Sequence, residues 1–473
     1  MRKPDGHNTL ADVPARLVAS ILLFLAVLAA PAAAQRRELS REEWQARQRE
    51  FQENYRRVRE AHAELYAKGP VVELVTMGVG GLIWERHGHI ALCVSEGPRH
   101  DCYNYGVGDF QHPLKMAWGF FRGTQSFYVK RDDLGDMMFV YLYADRTIWI
   151  QPLPLTREQV DVVKAALAHD DTDEHRYYAY DHLWDNCTTR VRDILDKATD
   201  RSLSKMPNTT DGRSFRELAR EGFLGREGGG SQWLPLLATD LSMGRNSDQV
   251  PSFYERMFLP DYLREAIEVH PTLKTAPMVL YQRKGPLAVK ELEKQISDPN
   301  RTPEEKAKLQ ARLDDLHSQS SGRFGFIVFI LLLTAPAWIT RLVGRFERTG
   351  LWFALIPPVL LGTIYWFLAI ISPLPYVRWN ETCLCLMPFD LLLLFGPERR
   401  RQLYARGRVA MLGLVALLLL AGVLEAPVWT AWLWGLVPNA VVAFLPRKQR
   451  VEKIAAPAEG AGEVKKSKRP ATA

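Results

Sequence analysis

The chain has 473 residues, with 61 Lys and Arg against 54 Asp and Glu, a net charge of +7 and an isoelectric point near 9.0. Its 47% hydrophobic content excludes a disordered chain. The basic excess is gathered in short loops and a tail that flank apolar runs, which excludes a nucleic-acid footprint as its reason.

Arg2, Lys3 and Arg16 precede an apolar stretch from Leu17 to Ala30, which ends in Ala32-Ala33-Ala34 before Gln35. This reads as a signal peptide over 1–34, with an uncleaved anchor as the alternative, and either form sends the following region across the membrane. In 35–70, Trp44, Phe51, Tyr55, Val58, His62 and Leu65 recur at helical spacing, and Gly69-Pro70 ends that amphipathic helix. Strands are then predicted over Val71–Thr76, His89–Val94, Cys102–Val107, Ser126–Val129, Met137–Tyr143 and Arg146–Gln151. Thr156-Arg157-Glu158-Gln159 has capping-box spacing and opens a helix to about His169. A further helix is predicted to begin at Asn186, with Val191, Ile194 and Leu195 on its buried face, and others over Ser214–Gly222, Pro260–Glu268 and Pro303–His317.

From Phe324 the composition changes. Apolar runs cover Phe324–Thr340, Leu351–Ile371, Thr382–Phe395, Val409–Leu424 and Pro427–Leu445. Arg341, Arg345 and Arg348 fill the first connection and Arg399, Arg400, Arg401, Arg406 and Arg408 the third, whereas the second holds Arg378 alone and the fourth, Glu425-Ala426, has no basic residue. By the positive-inside rule the first and third connections and the tail are cytoplasmic, so about five spans start outside and end inside. The expected organisation is an α+β outer domain over 71–322, a helical membrane domain over 323–446 and a basic cytoplasmic tail over 447–473. The large domain then lies outside the cytoplasm by two separate lines, the leader and the loop charges.

Compartment gives the cysteines their meaning. Cys93, Cys102 and Cys187 lie between the leader and the first apolar run, so pairing leaves one thiol over. Cys93 with Cys102 is the preferred disulfide, because the two flank the turn Glu96-Gly97-Pro98-Arg99; pairing of Cys187 with either is the alternative. In Asp185-Asn186-Cys187-Thr188-Thr189-Arg190 the thiol falls in the first turn of a helix, where backbone N–H groups and the helix dipole favour a thiolate. His89, behind a glycine in His87-Gly88-His89, is the candidate base, and Asn104, in Tyr103-Asn104-Tyr105-Gly106, the candidate group that orients the imidazole. His87, His89 and His100 could instead hold zinc, although their spacing fits no standard site. Cofactors and metals are otherwise not called for. Arg122 and Arg190 suit either phosphate or carboxylate, and Asp390 is the acidic residue inside a run, either functional or solvated near the cytoplasmic end.

Four ordered motifs, Trp84-Glu85-Arg86-His87-Gly88-His89, Tyr103-Asn104-Tyr105-Gly106, Phe120-Phe121-Arg122-Gly123 and Asp185-Asn186-Cys187-Thr188-Thr189-Arg190, followed by membrane helices, resemble the Lnb-type family of bacterial lipoprotein N-acyltransferases. The resemblance covers roughly Val71 to Tyr281, with Asn380 to Leu391 also similar. The order of histidine strand and then Asn-Cys helix also resembles permuted papain-like thiol enzymes. The resemblance implies a bacterial inner-membrane enzyme with its catalytic domain in the periplasm. Cys187 would take an acyl chain from a phospholipid as a thioester, with His89 as base, and pass it to the N-terminal amine of a lipoprotein. Trp118, Phe120 and Phe121, with Met257-Phe258-Leu259-Pro260, would line an acyl groove or simply belong to the core. A periplasmic cysteine peptidase or amidase is the alternative from the same chemistry, and a non-catalytic membrane assembly module the alternative from another class.

Overall fold

The computed structural model describes residues 39–108, 112, 115, 118–119, 122–124, 126–224, 233–318 and 323–446. The leader over 1–34, the tail over 447–473 and the side chains of Phe120 and Phe121 lie outside the described residues. Ten helices matter below, in chain order: α1 Arg41–Ala61, α2 Leu134–Tyr143, α3 Arg157–Asp170, α4 Cys187–Ala198, α5 Phe215–Leu224, α6 Pro260–Val269, α7 Arg323–Val343, α8 Glu347–Ile371, α9 Glu398–Leu420 and α10 Trp429–Phe444. The strands are β1 Val71–Met77, β2 His89–Glu96, β3 Arg99–Val107, β4 Ser126–Asp133, β5 Ile148–Leu153, β6 Tyr177–Ala179 and β7 Met278–Tyr281.

The strands form one sheet in the order β6-β4-β3-β2-β1-β5-β7, antiparallel at every pairing. β1 is buried on both faces because it is central and covered on both. Val72 and Leu74 face a core closed by α3, α4 and α6, while Val75 and Met77 face one closed by α1 and α2. The outer part of the chain is thus α+β. Ser40 and Thr156 form capping boxes that start α1 and α3, which is the local reason both helices begin where they do.

The strand expected over Met137–Tyr143 is instead α2. Asp133 caps it by accepting from the Gly135 amide at 2.8 Å. The buried residues Met137, Met138, Tyr141 and Leu142 follow helical spacing, with Phe139 and Val140 exposed between them. A run that is apolar at every position carries no alternation to separate helix from strand.

In the C-terminal part α7, α8 and α9 are long and apolar enough to cross a membrane, and α10 is a shorter apolar helix. The run Thr382–Phe395, expected as a continuous span, is broken into a helical turn at Thr382–Cys385 and a 3-10 segment at Pro388–Leu394. Pro388 lacks the N–H that would continue the helix. The carbonyls freed by the break find partners within the protein. Arg408 donates to Cys385 O at 2.9 Å and to Leu384 O at 3.4 Å, and the Trp366 indole to Cys383 O at 3.0 Å. Asp390 is buried and paired with Arg408 at 2.8 Å, and it accepts from the Tyr404 hydroxyl at 2.9 Å. Its charge is therefore neither loose nor solvated.

The two parts meet around the outer end of α8. Leu183, Phe215, Leu218, Phe258, Leu259 and Tyr262 pack with Leu368, Leu374, Tyr376 and Val377 in one buried cluster. Trp118 stacks on Phe367 at 5.8 Å.

Candidate thiol site

Asn186 builds the start of α4. Its backbone is extended, its Oδ1 accepts from the amides of Thr188 and Thr189 at 2.8 and 3.0 Å, and its Nδ2 donates to the carbonyls of His182 and Phe258 at 2.7 and 3.0 Å. The cap alone is worth about 1 kcal/mol. It makes Cys187 the first helical residue, and Cys187 remains a free thiol. Cys93 and Cys102, directly opposite each other in the β2–β3 register, form the disulfide.

The thiol is 7% exposed. Burial pushes it up, and the charge and hydrogen bond of His89, helped by the Thr188 hydroxyl and the Ile90 amide, more than offset this and hold it below the ordinary cysteine range. The Thr188 hydroxyl lies 3.8 Å from the sulfur, and the Tyr180 hydroxyl bonds to it as well. His89 opens β2 directly after Gly88, which has φ +77 and no room for a Cβ, since one would sit 2.9 Å from the Met77 carbonyl. Gly106 on β3, at φ +82, is favoured by its backbone conformation, and a Cβ there would make only an ordinary 3.6 Å contact with that of Cys187.

His89 Nε2 meets Asn104 Oδ1 at 2.5 Å. An oxygen at that position accepts, so Nε2 carries the proton and Nδ1 is the nitrogen left for the thiol. Tyr141 of α2 stacks on the imidazole at 6.0 Å and bonds to Asn104; its own hydroxyl is pushed up to about 12, mainly by burial. Under Tyr141 lies buried Arg146, its guanidinium 4.8 Å from the ring and its Nε donating to Gly78 O at 2.7 Å. Cys187, His89 and Asn104 therefore come together from one helix end and two strands. Tyr141, Arg146 and Tyr180 were not foreseen from the sequence. The cluster Tyr177-Tyr178-Ala179-Tyr180 just before the cysteine is the signal that could have drawn attention to Tyr180.

The zinc alternative is not supported by these positions. His87 bonds to the Ala219 carbonyl at 2.8 Å, while His100 bonds to Ser95 at 2.8 Å and Tyr55 at 3.1 Å in a separate buried network around Glu73, so the three histidines do not converge. No group of three or more His, Cys, Asp or Glu suited to a metal occurs among the described residues. Arg190 is committed to Asp185, at 2.6 and 2.8 Å, with its guanidinium over Tyr178 at 4.2 Å. Met257, Phe258 and Leu259 are buried core residues.

Residues 60–219 match the family described as the Lnb N-terminal periplasmic domain. The chain carries an Lnb domain. The match takes in all of β1 to β6 and α4, and with them Cys187, His89 and Asn104. No curated protein and no solved structure matches the chain. The Lnb domain is followed in this chain by the apolar helices α7 to α10, which makes it part of a membrane protein.

Proposed function

We propose that the chain is a thiol-dependent acyltransferase of the bacterial inner membrane, which moves an acyl chain from a phospholipid to the N-terminal amine of a lipoprotein. One observation carries this: a thiol at a helix start, held below its usual range beside an imidazole whose far nitrogen is fixed by Asn104. That is the arrangement nucleophilic catalysis needs. The strand-borne histidine ahead of the cysteine helix also supports a permuted papain-like layout.

In the first half-reaction His89 Nδ1 takes the thiol proton and the Cys187 sulfur attacks the ester carbonyl. The amides of Thr188 and Thr189 are taken by Asn186 and that of Arg190 by the Asn186 carbonyl at 3.1 Å. The Cys187 amide is the first-turn donor left for the oxyanion. Collapse breaks the ester C–O bond, the lysophospholipid oxygen leaves with the proton from His89, and a thioester remains. In the second half-reaction the lipoprotein amine attacks the thioester, His89 accepts a proton from nitrogen, an amide forms and the thiol is regenerated. Both substrates are lipid-anchored, so a thiol domain on the same bilayer meets them at high effective concentration.

The test is mass spectrometry of lipoprotein N-termini in a strain lacking this protein and any other N-acyltransferase. Wild type restores the third acyl chain, Cys187→Ala does not, and His89→Ala restores at least about 100-fold less. Equal restoration by wild type and Cys187→Ala would refute the mechanism. Failure of wild type would overturn the lipoprotein as acceptor.

A further inference from the structure

We propose that Tyr376, in the outer connection that follows α8, is a positioning residue for the Cys187 thiol, so that the membrane part of the chain completes the site. This deepens the acyltransferase reading and rests on Cys187 as the nucleophile.

Tyr376 is 4% exposed and packs with Leu183, Phe258 and Leu259 around the loop that leads into α4. Its hydroxyl borders the Asp181 carboxylate and the His182 amide and faces Tyr180. Each of these leads to the thiol within a few residues. The Asp181 carboxylate accepts from the amides of Leu183 and Trp184 at 2.8 and 3.0 Å. Asp181 and Asp185 exchange backbone bonds at 3.0 and 3.1 Å, which closes a tight loop. The His182 carbonyl takes the Asn186 side chain, the cap of the helix on which Cys187 is the first residue. Tyr180 reaches the sulfur itself through its hydroxyl.

The connection that carries Tyr376 is itself held to the outer domain. The Tyr376 carbonyl accepts from the Gly244 amide, the Trp379 carbonyl accepts from the Arg245 amide at 3.0 Å, and Asn380 donates to Leu241 O at 2.7 Å. Tyr376 therefore stands on a fixed base. Its hydroxyl is buried without a well-aligned hydrogen bond among the described residues, a placement that destabilises a fold relative to a bare phenyl ring. The ring accounts for the packing, and the hydroxyl lies beside the Asp181 carboxylate and the His182 amide, on the loop that presents the thiol.

The experiment uses the full-length chain in lipid nanodiscs with the Cys93–Cys102 disulfide intact. The rate of iodoacetamide alkylation at Cys187 is followed by peptide mass spectrometry from pH 5 to 10, alongside thermal melting. The groups that face the thiol and can shape this profile are His89, Tyr180, Tyr178, Tyr141 and Arg146. Tyr376→Phe lowers the alkylation rate at neutral pH at least fivefold and moves the midpoint of the profile to higher pH, with melting unchanged or improved. Tyr404→Phe, at the Asp390 pair, leaves the profile unchanged. Should Tyr376→Phe not fold, Asp181→Asn tests the same contact and displaces the profile in the same direction. Profiles that superimpose on wild type for the folded variant overturn the proposal. Alkylation reads the free thiol and needs neither an acyl donor nor an acceptor, so loss of the acyltransferase reading in the strain test is distinguishable from loss of this one.

Discussion

The proposed transfer of a proton from the thiol to His89 requires the correct ring nitrogen, and Asn104 leaves Nδ1 for it by accepting from Nε2. The placing of Cys187, His89 and Asn104 together was legible in the sequence from a helix cap followed by cysteine, a glycine before a strand, and an asparagine on the strand expected to neighbour that histidine. Tyr141 and Arg146 were not, since nothing local marks a tyrosine or arginine that becomes important only once a distant element folds over it, and Tyr180 was marked only by the tyrosine cluster ahead of the cysteine. A neighbouring residue also predicts how the fold responds to acid. His182 has its pKa pushed down to about 4, by burial first and by His87 second. A base with a depressed folded pKa contributes stability that is fully present above its ordinary value of about 6.5 and lost as pH falls through its folded one, here about 3 kcal/mol. Thermal melting between pH 7 and 4 should therefore fall more steeply for wild type than for His182→Gln. Equal slopes in that window would show that His182 is not the group responsible.

Among the elements, the broken segment between α8 and α9 is where the sequence reading and the structure part company. Hydropathy registered Thr382–Phe395 as one apolar run, but hydropathy is blind to the hydrogen bonds that Pro388 removes, and it does not show that Arg408, which was counted among the cytoplasmic charges, turns inward to the freed carbonyls. Irregular backbone at membrane depth persists only where protein groups satisfy it. Replacing Arg408 by Leu strands Asp390 without its partner and should cost about 3 to 5 kcal/mol, while the double variant Arg408→Leu/Asp390→Leu should recover part of that loss. Thermal denaturation in detergent measures both; a double variant as unstable as the sum of the single ones would show that the pair is not coupled. The misassigned α2 belongs to the same class of error, a run whose apolar residues carry no periodicity, decided in the end by the Asp133 cap.

For the whole molecule, the orientation read from loop charges makes a separable prediction. In a background where Cys187, Cys383 and Cys385 are Ala, Arg378→Cys, at an exposed position of the connection after α8, should react with a membrane-impermeant maleimide on intact spheroplasts and the equally exposed Arg345→Cys only after lysis. The reverse pattern would invert the topology, and labelling of both from outside would remove one crossing between them. The division into a charged outer part and an apolar part was legible because composition changes abruptly near Phe324. The seam between them was not, since Tyr376 and Cys187 are far apart in sequence and only packing brings their surroundings together. The disulfide has a consequence for how such a chain matures. Cys93 and Cys102 are nine residues apart across a hairpin, whereas Cys187 follows about 85 residues later, a delay of several seconds at roughly 5 to 20 residues per second. On a chain that crosses the membrane N-terminus first, the hairpin forms within microseconds of emerging and its bridge can be sealed by the oxidising machinery before the third sulfur arrives. Export led by the N-terminus would thus make the order of translocation a chaperone for Cys187, keeping it out of the wrong bond.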